Sequence, residues 1–383
     1  MFRIFAELPQ IRSSLPKLRP GVKLRKLVTQ DYSYYPVGMS STTTSGTATP
    51  ARTPDDPLIA GLNAADVMKP RSTLRYVDVG QRQPFTCAGV FADQSQIGIN
   101  LSDPIFRGIY HGKRSHEHDL SKVVQRAVEA GCRKLMVTGS DLQESRHAVQ
   151  LAEDYPGLCY ATVGVHPCSA KSFEAHPSGP DALMSELREV ATKAKAAGTA
   201  VAFGEFGLDY DRLHLCPKET QLTYFKEQLD LAVELHMPLF LHSRAAAEDF
   251  ESILTARLDE LPKRGVVHSF TGTMEEMKRI VDMGFDVGIN GCSLKTDENI
   301  DVVREVPLER LQIETDGPWC EMRPSHASAK YLQGAPPPPK AVKKEKWTAE
   351  TMVKGRNESC MIPRVAYAIA NIKGITVEEV CEA

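Results

Sequence analysis

The sequence has no Cys-x-x-Cys pair, no apolar run near the roughly 18 residues that span a bilayer, and no large excess of either charge. Its nine cysteines stand singly. An odd, dispersed set reads as reduced thiols of an intracellular protein and argues against a disulfide-stapled secreted scaffold. The formal net charge of −3 neither supports nor excludes an anionic substrate, because bulk charge does not reveal a local basic patch. What the chain does have is length and apolar content. Its 383 residues, 42% of them hydrophobic, suffice for one large α/β domain with extensions.

The first 30 residues carry seven Lys/Arg and one acid, Glu7. That balance resembles an organellar transit peptide, but Pro9, Pro16 and Pro20 would break the amphipathic helix such a peptide needs. A disordered basic extension over residues 1–70 is expected, with a cytoplasmic or nuclear location and mitochondrial import as the alternative. Residues 40–57, rich in Ser, Thr, Gly and Pro, read as a linker, and the compact domain is expected over 71–383.

From residue 119 onward, short apolar runs alternate with amphipathic segments. Strands are expected at 134–138, 159–164, 200–203, 237–241, 265–267, 285–289 and 311–313. Helices between them are expected at 119–131, 143–154, 181–197, 217–236, 245–258, 274–283 and 298–306. Counting one strand before residue 119 gives eight, the number of a closed (β/α) barrel. A terminal helix is expected at 360–370, and another begins at 375 and stops after about two turns.

The organising stretch is Val201-Ala202-Phe203-Gly204-Glu205-Phe206-Gly207-Leu208-Asp209. An acid at the carboxyl end of a buried strand is costly unless a cation or hydrogen bonds compensate it. Such barrels place their chemistry at the carboxyl ends of strands. Three more expected strands end in groups of metal-ligand type: His242, His268 and Asp316. A lone histidine there is usually a hydrogen-bonded core group. Four such groups in register point instead to bound Zn²⁺, Mn²⁺ or Mg²⁺. His116-Glu117-His118 has ligand spacing too, but lies in a charged helix entrance and is read as solvated.

Five separated motifs occur in order: Val-Gly-Val-His166-Pro, Phe-Gly-Glu205-Phe-Gly-Leu-Asp209, Leu-Phe-Leu-His242-Ser-Arg244, Val-Val-His268-Ser-Phe-Thr-Gly and Ile-Glu-Thr-Asp316-Gly-Pro-Trp319. Together with Ile-Gly-Ile-Asn100-Leu-Ser-Asp-Pro and Asn290-Gly-Cys-Ser-Leu-Lys, they resemble the eukaryotic branch of the TatD family of metal-dependent deoxyribonucleases over roughly residues 97–370. The resemblance implies a distorted TIM (β/α)8 barrel of the metal-dependent hydrolase type. It also implies two divalent ions and hydrolysis of DNA phosphodiester bonds, by analogy as a 3′-5′ exonuclease. On that basis Glu205 bridges both ions, His242 and His268 hold one, and Asp316 holds the other, with Asn100 and Asp78 as further ligands. Glu205, Asp316 and Asp209 are the catalytic candidates; Asp209 would orient a ligand or the attacking water, or simply shape a turn. His166 and Arg244 are substrate-binding candidates, Arg244 as a bidentate phosphate clamp. Lys295 is a plausible phosphate contact, and Trp319 and Tyr210 could stack on bases or belong to the core.

The chain departs from the family at the first strand. Most members open with Asp-x-His-x-His, where this sequence has Gln96, Gly98 and Asn100. Joining Asp78 to Ile97 restores the pattern, which makes 79–96 an expected insertion of 18 residues inside a central strand. Valine codons start with GT and a glutamine codon can be CAG, so a retained in-frame intron is the hypothesis. The last helix also stops earlier than in the family, so the carboxyl end is expected to continue. Two other readings follow: a catalytically weak or inactive nucleic-acid-binding relative, and an amidohydrolase-type enzyme acting on a small molecule. The second lacks support, since neither the first-strand histidine pair nor a mid-barrel lysine ligand is present.

Overall fold

The computed structural model describes residues 94–261 and 263–383. The basic extension 1–70, Asp78 and most of the 79–96 interval lie outside the described residues.

Eight strands run in chain order around the sheet, each parallel to its neighbour. They are β1 (Gln94–Ile99), β2 (Cys132–Val137), β3 (Cys159–Val163), β4 (Ala200–Asp209), β5 (Leu239–Arg244), β6 (Gly265–Val267), β7 (Asp286–Ile289) and β8 (Leu311–Ile313). A parallel bridge between Ile97 and Glu314 brings the first strand to the chain just past the last. Asp316 N–H donates to Gly98 O at 3.0 Å and Asn100 N–H to Gly317 O at 2.8 Å, so the seam is drawn together at the carboxyl mouth. This is the expected (β/α)8 barrel.

Besides the one-turn helix Lys171–Ala175, the helices between the strands are α1 (Leu120–Glu129), α2 (Leu142–Asp154), α3 (Pro180–Ala197), α4 (Lys218–Glu234), α5 (Ala247–Ala256), α6 (Met274–Asp282) and α7 (Asp297–Glu305). Several start or stop on local signals. Asp141 accepts from Glu144 N–H at 2.8 Å to cap α2, and Pro180 opens α3, which Gly198 ends in left-handed conformation. Thr273 and Glu276 form a capping box on α6, and Thr296 and Asn299 do so on α7. After β8 the chain returns through α8 (Ile362–Lys373) and α9 (Val377–Glu382). No helix among the described residues is long and apolar enough to cross a membrane.

One core layer lies between the sheet and the helices. A smaller cluster of Ile97, Met136, Val201, Ala202, Phe240 and Val266 fills the barrel interior. Strand periodicity then carries the same inward face toward the mouth. Two residues past Phe240 stands His242, and two past Val266 stands His268. Phe240 and His268 stack with ring centroids 4.5 Å apart.

Two strands run longer than expected. β4 does not stop at Gly204 but continues to Asp209, and β5 continues past His242 to Arg244. The reason is the glycines. At Gly204 and Gly207, φ is +146° and +147°, and a Cβ at either would collide with a carbonyl oxygen of β5. Only glycine lets the two backbones pair that closely. The register slips by one residue between Gly204 and Phe206, and at this bulge Glu205 N–H bonds instead to Gly139 O at 2.8 Å. A bulge of this kind re-aims one side chain within a continuing ladder, and here that side chain is Glu205.

Residues 94–96, the last three of the expected insertion, pair with β2 as the first half of β1, with register shifts on either side of Gln96. Gln96 is fully buried, and its Nε2 donates to Thr315 Oγ1.

Candidate active site

Glu205 is the hub. Its Oε1 lies 2.6 Å from His268 Nε2, 3.1 Å from His242 Nδ1 and 3.5 Å from His166 Nε2. Glu205, His242 and His268 are buried. Burial alone would raise the Glu205 pKa, but the charge of His268 and hydrogen bonds from His242 and His268 hold it well below the ordinary carboxylate range. Burial likewise opposes charge on His268, yet Glu205, aided by Glu314, raises its pKa well above the usual value. His166 goes the other way. Burial dominates and pushes it down to about 3 despite Glu205, so this ring is neutral at neutral pH.

Each ring is oriented from its far side. His242 Nε2 lies 3.2 Å from Asp209 Oδ2. His268 Nδ1 lies 3.5 Å from Glu314 Oε2. His166 Nδ1 accepts from Cys168 N–H at 3.0 Å, which leaves Nε2 facing Glu205. Asp209 is buried, and burial would raise its pKa, but the bond from His242 holds it low.

Asp316 and Asn100 form a second group across the seam, with Asn100 Nδ2 donating to Asp316 Oδ1 at 3.0 Å. Asp316 is pushed up to about 7 by burial and by Glu314 and Glu205, against the pull of His268. Its Oδ2 accepts from Cys320 Sγ at 3.3 Å. Arg244, paired in register with Asp209, lines a cleft of about 840 Å³ together with Lys295, Asp211 and Phe270. Trp319 is 56% exposed, three residues past Asp316. Tyr210 instead donates its hydroxyl to Asp249 Oδ2 at 2.6 Å, with Lys218 over its ring, which is a structural use. His116 stacks on Trp347 and lies 3.0 Å from the Tyr110 hydroxyl.

The donor set fits a divalent cation. Ligand atoms sharing one tetrahedral ion at about 2.1 Å lie about 3.4 Å apart, close to the separations around Glu205 Oε1. Among the described residues, His166, Glu205 and His242 present ligand atoms within 4.8 Å of one another, as do His166, Cys168 and Asp209. Among the described residues, buried Asp209 Oδ1 has no hydrogen-bond partner, and His268 Nδ1 and Glu314 Oε2 face each other at 3.5 Å without forming a hydrogen bond. The carboxylates of Glu205, Glu314 and Asp316 face one another closely enough to raise Asp316, a repulsion that a cation relieves.

Sequence reasoning did not single out several supports. Glu314 accepts from Ser269 N–H and sits 3.4 Å from Asn290 Nδ2; it was visible as the acid two residues before Asp316. Gln221 Oε1 accepts from Asp209 N–H at 2.7 Å, and Gln228 Oε1 accepts from Val165 N–H at 2.7 Å. These two glutamines lie seven apart on α4, buried on the face where apolar residues are expected, and that was their signal. Asn357 donates its N–H to Pro318 O at 3.0 Å and Nδ2 to Thr315 O at 2.8 Å, bracing the Asp316 turn; nothing local in the sequence marks it.

Residues 110–383 match the family model described as TatD related DNase. The chain is 50% identical to "Deoxyribonuclease Tat-D" of Schizosaccharomyces pombe, covering 79% of this chain and 95% of that one. It is 36% identical to "3'-5' ssDNA/RNA exonuclease TatD" of Pantoea ananatis, covering 74% and 92%. Among solved structures, a hydrolase TatD family protein from Entamoeba histolytica superposes with a TM-score of 0.68 at 33% identity, covering 76% of this chain and 95% of that one.

Proposed function

The chain belongs to the TatD-related DNase family, and from that premise we propose that it is a metal-dependent deoxyribonuclease that trims DNA from a 3′ end. The observation that carries this reading is the single oxygen of Glu205 met by three imidazole nitrogens within 3.5 Å, beside a second carboxylate, Asp316, at the same barrel mouth. In this reading Glu205, His242, His268, Asp316 and Asn100 would hold divalent Mg²⁺, Mn²⁺ or Zn²⁺, with Glu205 as the carboxylate shared by the two groups of donors. Paired ions supply stabilisation of the attacking and leaving oxygens in an in-line phosphoryl displacement.

The chain's own side chains supply the positioning. Asp209 hydrogen-bonds the His242 ring from behind, as carboxylates do for ligating histidines, and Glu314 faces His268 Nδ1 across 3.5 Å as a charge partner. His166, neutral, presents its Nε2 to Glu205 Oε1 across 3.5 Å without adding charge. Arg244 and Lys295 bring cationic groups to the adjoining cleft, where they hold backbone phosphates. Trp319 offers an exposed ring on which a terminal base stacks. Mixed charge around the cleft, with Asp211 beside Arg244, favours a single strand threaded along it over a duplex face held by a broad basic patch. The domain proposal is a catalytic barrel over 71–383 behind a basic extension.

The test is degradation of 5′-labelled single-stranded DNA by the purified full chain with added Mn²⁺. A ladder shortening from the 3′ end, abolished by chelator and by Glu205→Ala, is the expected result. Unchanged cleavage by Glu205→Ala would remove the mechanism. One observation favours a second reading. Gln96 places a neutral amide, bonded to Thr315, where most of the family has an aspartate. Single-strand binding without cleavage in the same assay would identify an inactive binding protein.

A further inference from the structure

Two thiols meet beside the Asp316 carboxylate. Cys292, in the loop after β7, and Cys320, in the loop after β8, have sulfurs 2.7 Å apart. Cys320 Sγ also donates to Asp316 Oδ2 at 3.3 Å. We propose that Cys292 and Cys320 form a reversible oxidation site, whose disulfide withdraws the Cys320 contact from Asp316 and lowers the nuclease activity. The proposal rests on the reading of Asp316 as a metal ligand.

The pair is prepared for bond formation on both sides. Cys292 N–H donates to Asn290 Oδ1 at 2.8 Å. The Asp316–Cys320 turn is closed by Trp319 N–H donating to Asp316 O at 2.9 Å, with φ near +50° at both ends of the turn. The two loops touch: a Cβ on Gly291 would collide with the Cys320 carbonyl oxygen. Backbone rigidity of this kind holds the sulfurs within roughly 0.7 Å of the bonded length of about 2.05 Å. Cys132, Cys159, Cys216 and Cys360 are buried, whereas Cys292 and Cys320 are half-buried at the barrel mouth.

A low-molecular-weight disulfide is the oxidant. One protein sulfur attacks it, forming a mixed disulfide and releasing one small thiol. The second protein sulfur then attacks the mixed disulfide and expels the other small thiol. Two electrons and two protons pass from the protein thiols to the two released thiols. The Cys320 sulfur is then bonded to Cys292 and no longer donates to Asp316 Oδ2, so Asp316 retains the Asn100 bond on Oδ1 alone. Displacement of a catalytic group by about 1 Å can cost about 100-fold.

The full chain, loaded with Mn²⁺, is equilibrated with oxidised or reduced glutathione, its remaining thiols are alkylated, and its peptides are mapped without reduction. The expected result is a Cys292–Cys320 linked peptide and single-stranded DNA cleavage lowered about fivefold to about 100-fold, both reversed by dithiothreitol. Cys292→Ser and Cys320→Ser, each compared with its own reduced form, should show no change on oxidation. Absence of the linked peptide, equal loss in Cys292→Ser, or a linked protein with unaltered activity would overturn the proposal. If the reduced protein cleaves no DNA, the nuclease reading fails. The linked peptide and the Mn²⁺ affinity of the two redox forms then decide the thiol proposal, and equal affinities would overturn it.

Discussion

His268 Nδ1 lies 3.5 Å from Glu314 Oε2, on the side of the ring opposite Glu205. Glu314 is fully buried, and its other oxygen accepts from Ser269 N–H, so both ends of the imidazole are set by acids of different duty. One acid meets the ring at the site; the other orients it. Glu314→Gln removes the orienting charge and keeps the volume. It should lower Mn²⁺ affinity or activity by about 10–100-fold, read by calorimetry and by DNA cleavage. Equal values would deny Glu314 this role.

Glu144 carries a pH dependence of stability. Burial, with Asp141, Asp103 and Glu205 nearby, raises its carboxyl from the ordinary 4.5 to about 7, against the bond from Ser140. A carboxyl whose pKa is higher in the folded state favours folding while protonated. Stability is therefore lost as pH rises from about 4.5 to about 7, and the loss is complete above 7. Glu144→Gln removes it. In metal-free protein the variant should be more stable than the parent by about 1–3 kcal/mol at pH 8 and equal to it at pH 4, by urea unfolding. A constant difference across that window would refute the assignment.

Arg356 is 1% exposed and ties the chain's return to α1. It bonds Asp119 at 3.0 and 2.6 Å and Glu358 at 2.8 Å, while Arg126 joins Glu358 at 2.8 Å. Arg356→Ala leaves buried Asp119 without its bidentate partner and should cost about 3–5 kcal/mol in urea unfolding at pH 7. A loss under about 1 kcal/mol would mean that Arg126 alone compensates both acids. Because Asn357 braces the Asp316 turn, the variant's cleavage should also fall at temperatures where it is still folded.

Arg244→Ala should weaken single-stranded DNA binding equally across base sequences. The slope of log affinity against log salt should shrink by about 0.7, the value for one phosphate contact on a single strand. An unaltered slope would place Arg244 off the DNA path.

Deleting residues 79–96 joins Asp78 to Ile97 and puts a carboxylate where Gln96 stands. Adding a charged ligand of this kind should raise Mn²⁺ affinity by about tenfold or more, measured by calorimetry on both proteins. Equal affinity would show that the first strand contributes no acid to the site.

The order of strands and helices was legible in the sequence because burial imposes a period on it. Short apolar runs separated by amphipathic helices of 9 to 18 residues leave a parallel eight-stranded barrel as the arrangement that covers both faces of the sheet. Glu205, His242, His268 and Asp316 could be picked out for the same reason, being charged or titratable groups next to runs that exclude water. Period alone did not reveal where strands end. Gly204 and Gly207 keep β4 paired to β5 beyond Glu205, and the bulge that turns Glu205 inward depends on a neighbouring strand the local sequence does not contain. The supports were hidden more deeply. Gln221, Gln228, Glu314 and Asn357 act on backbone or rings far away along the chain, and the Cys292–Cys320 approach joins two loops that meet only when the barrel closes. A sequence records each residue's own preference for water or core; which buried groups face each other is decided by packing, and the site consists of those meetings.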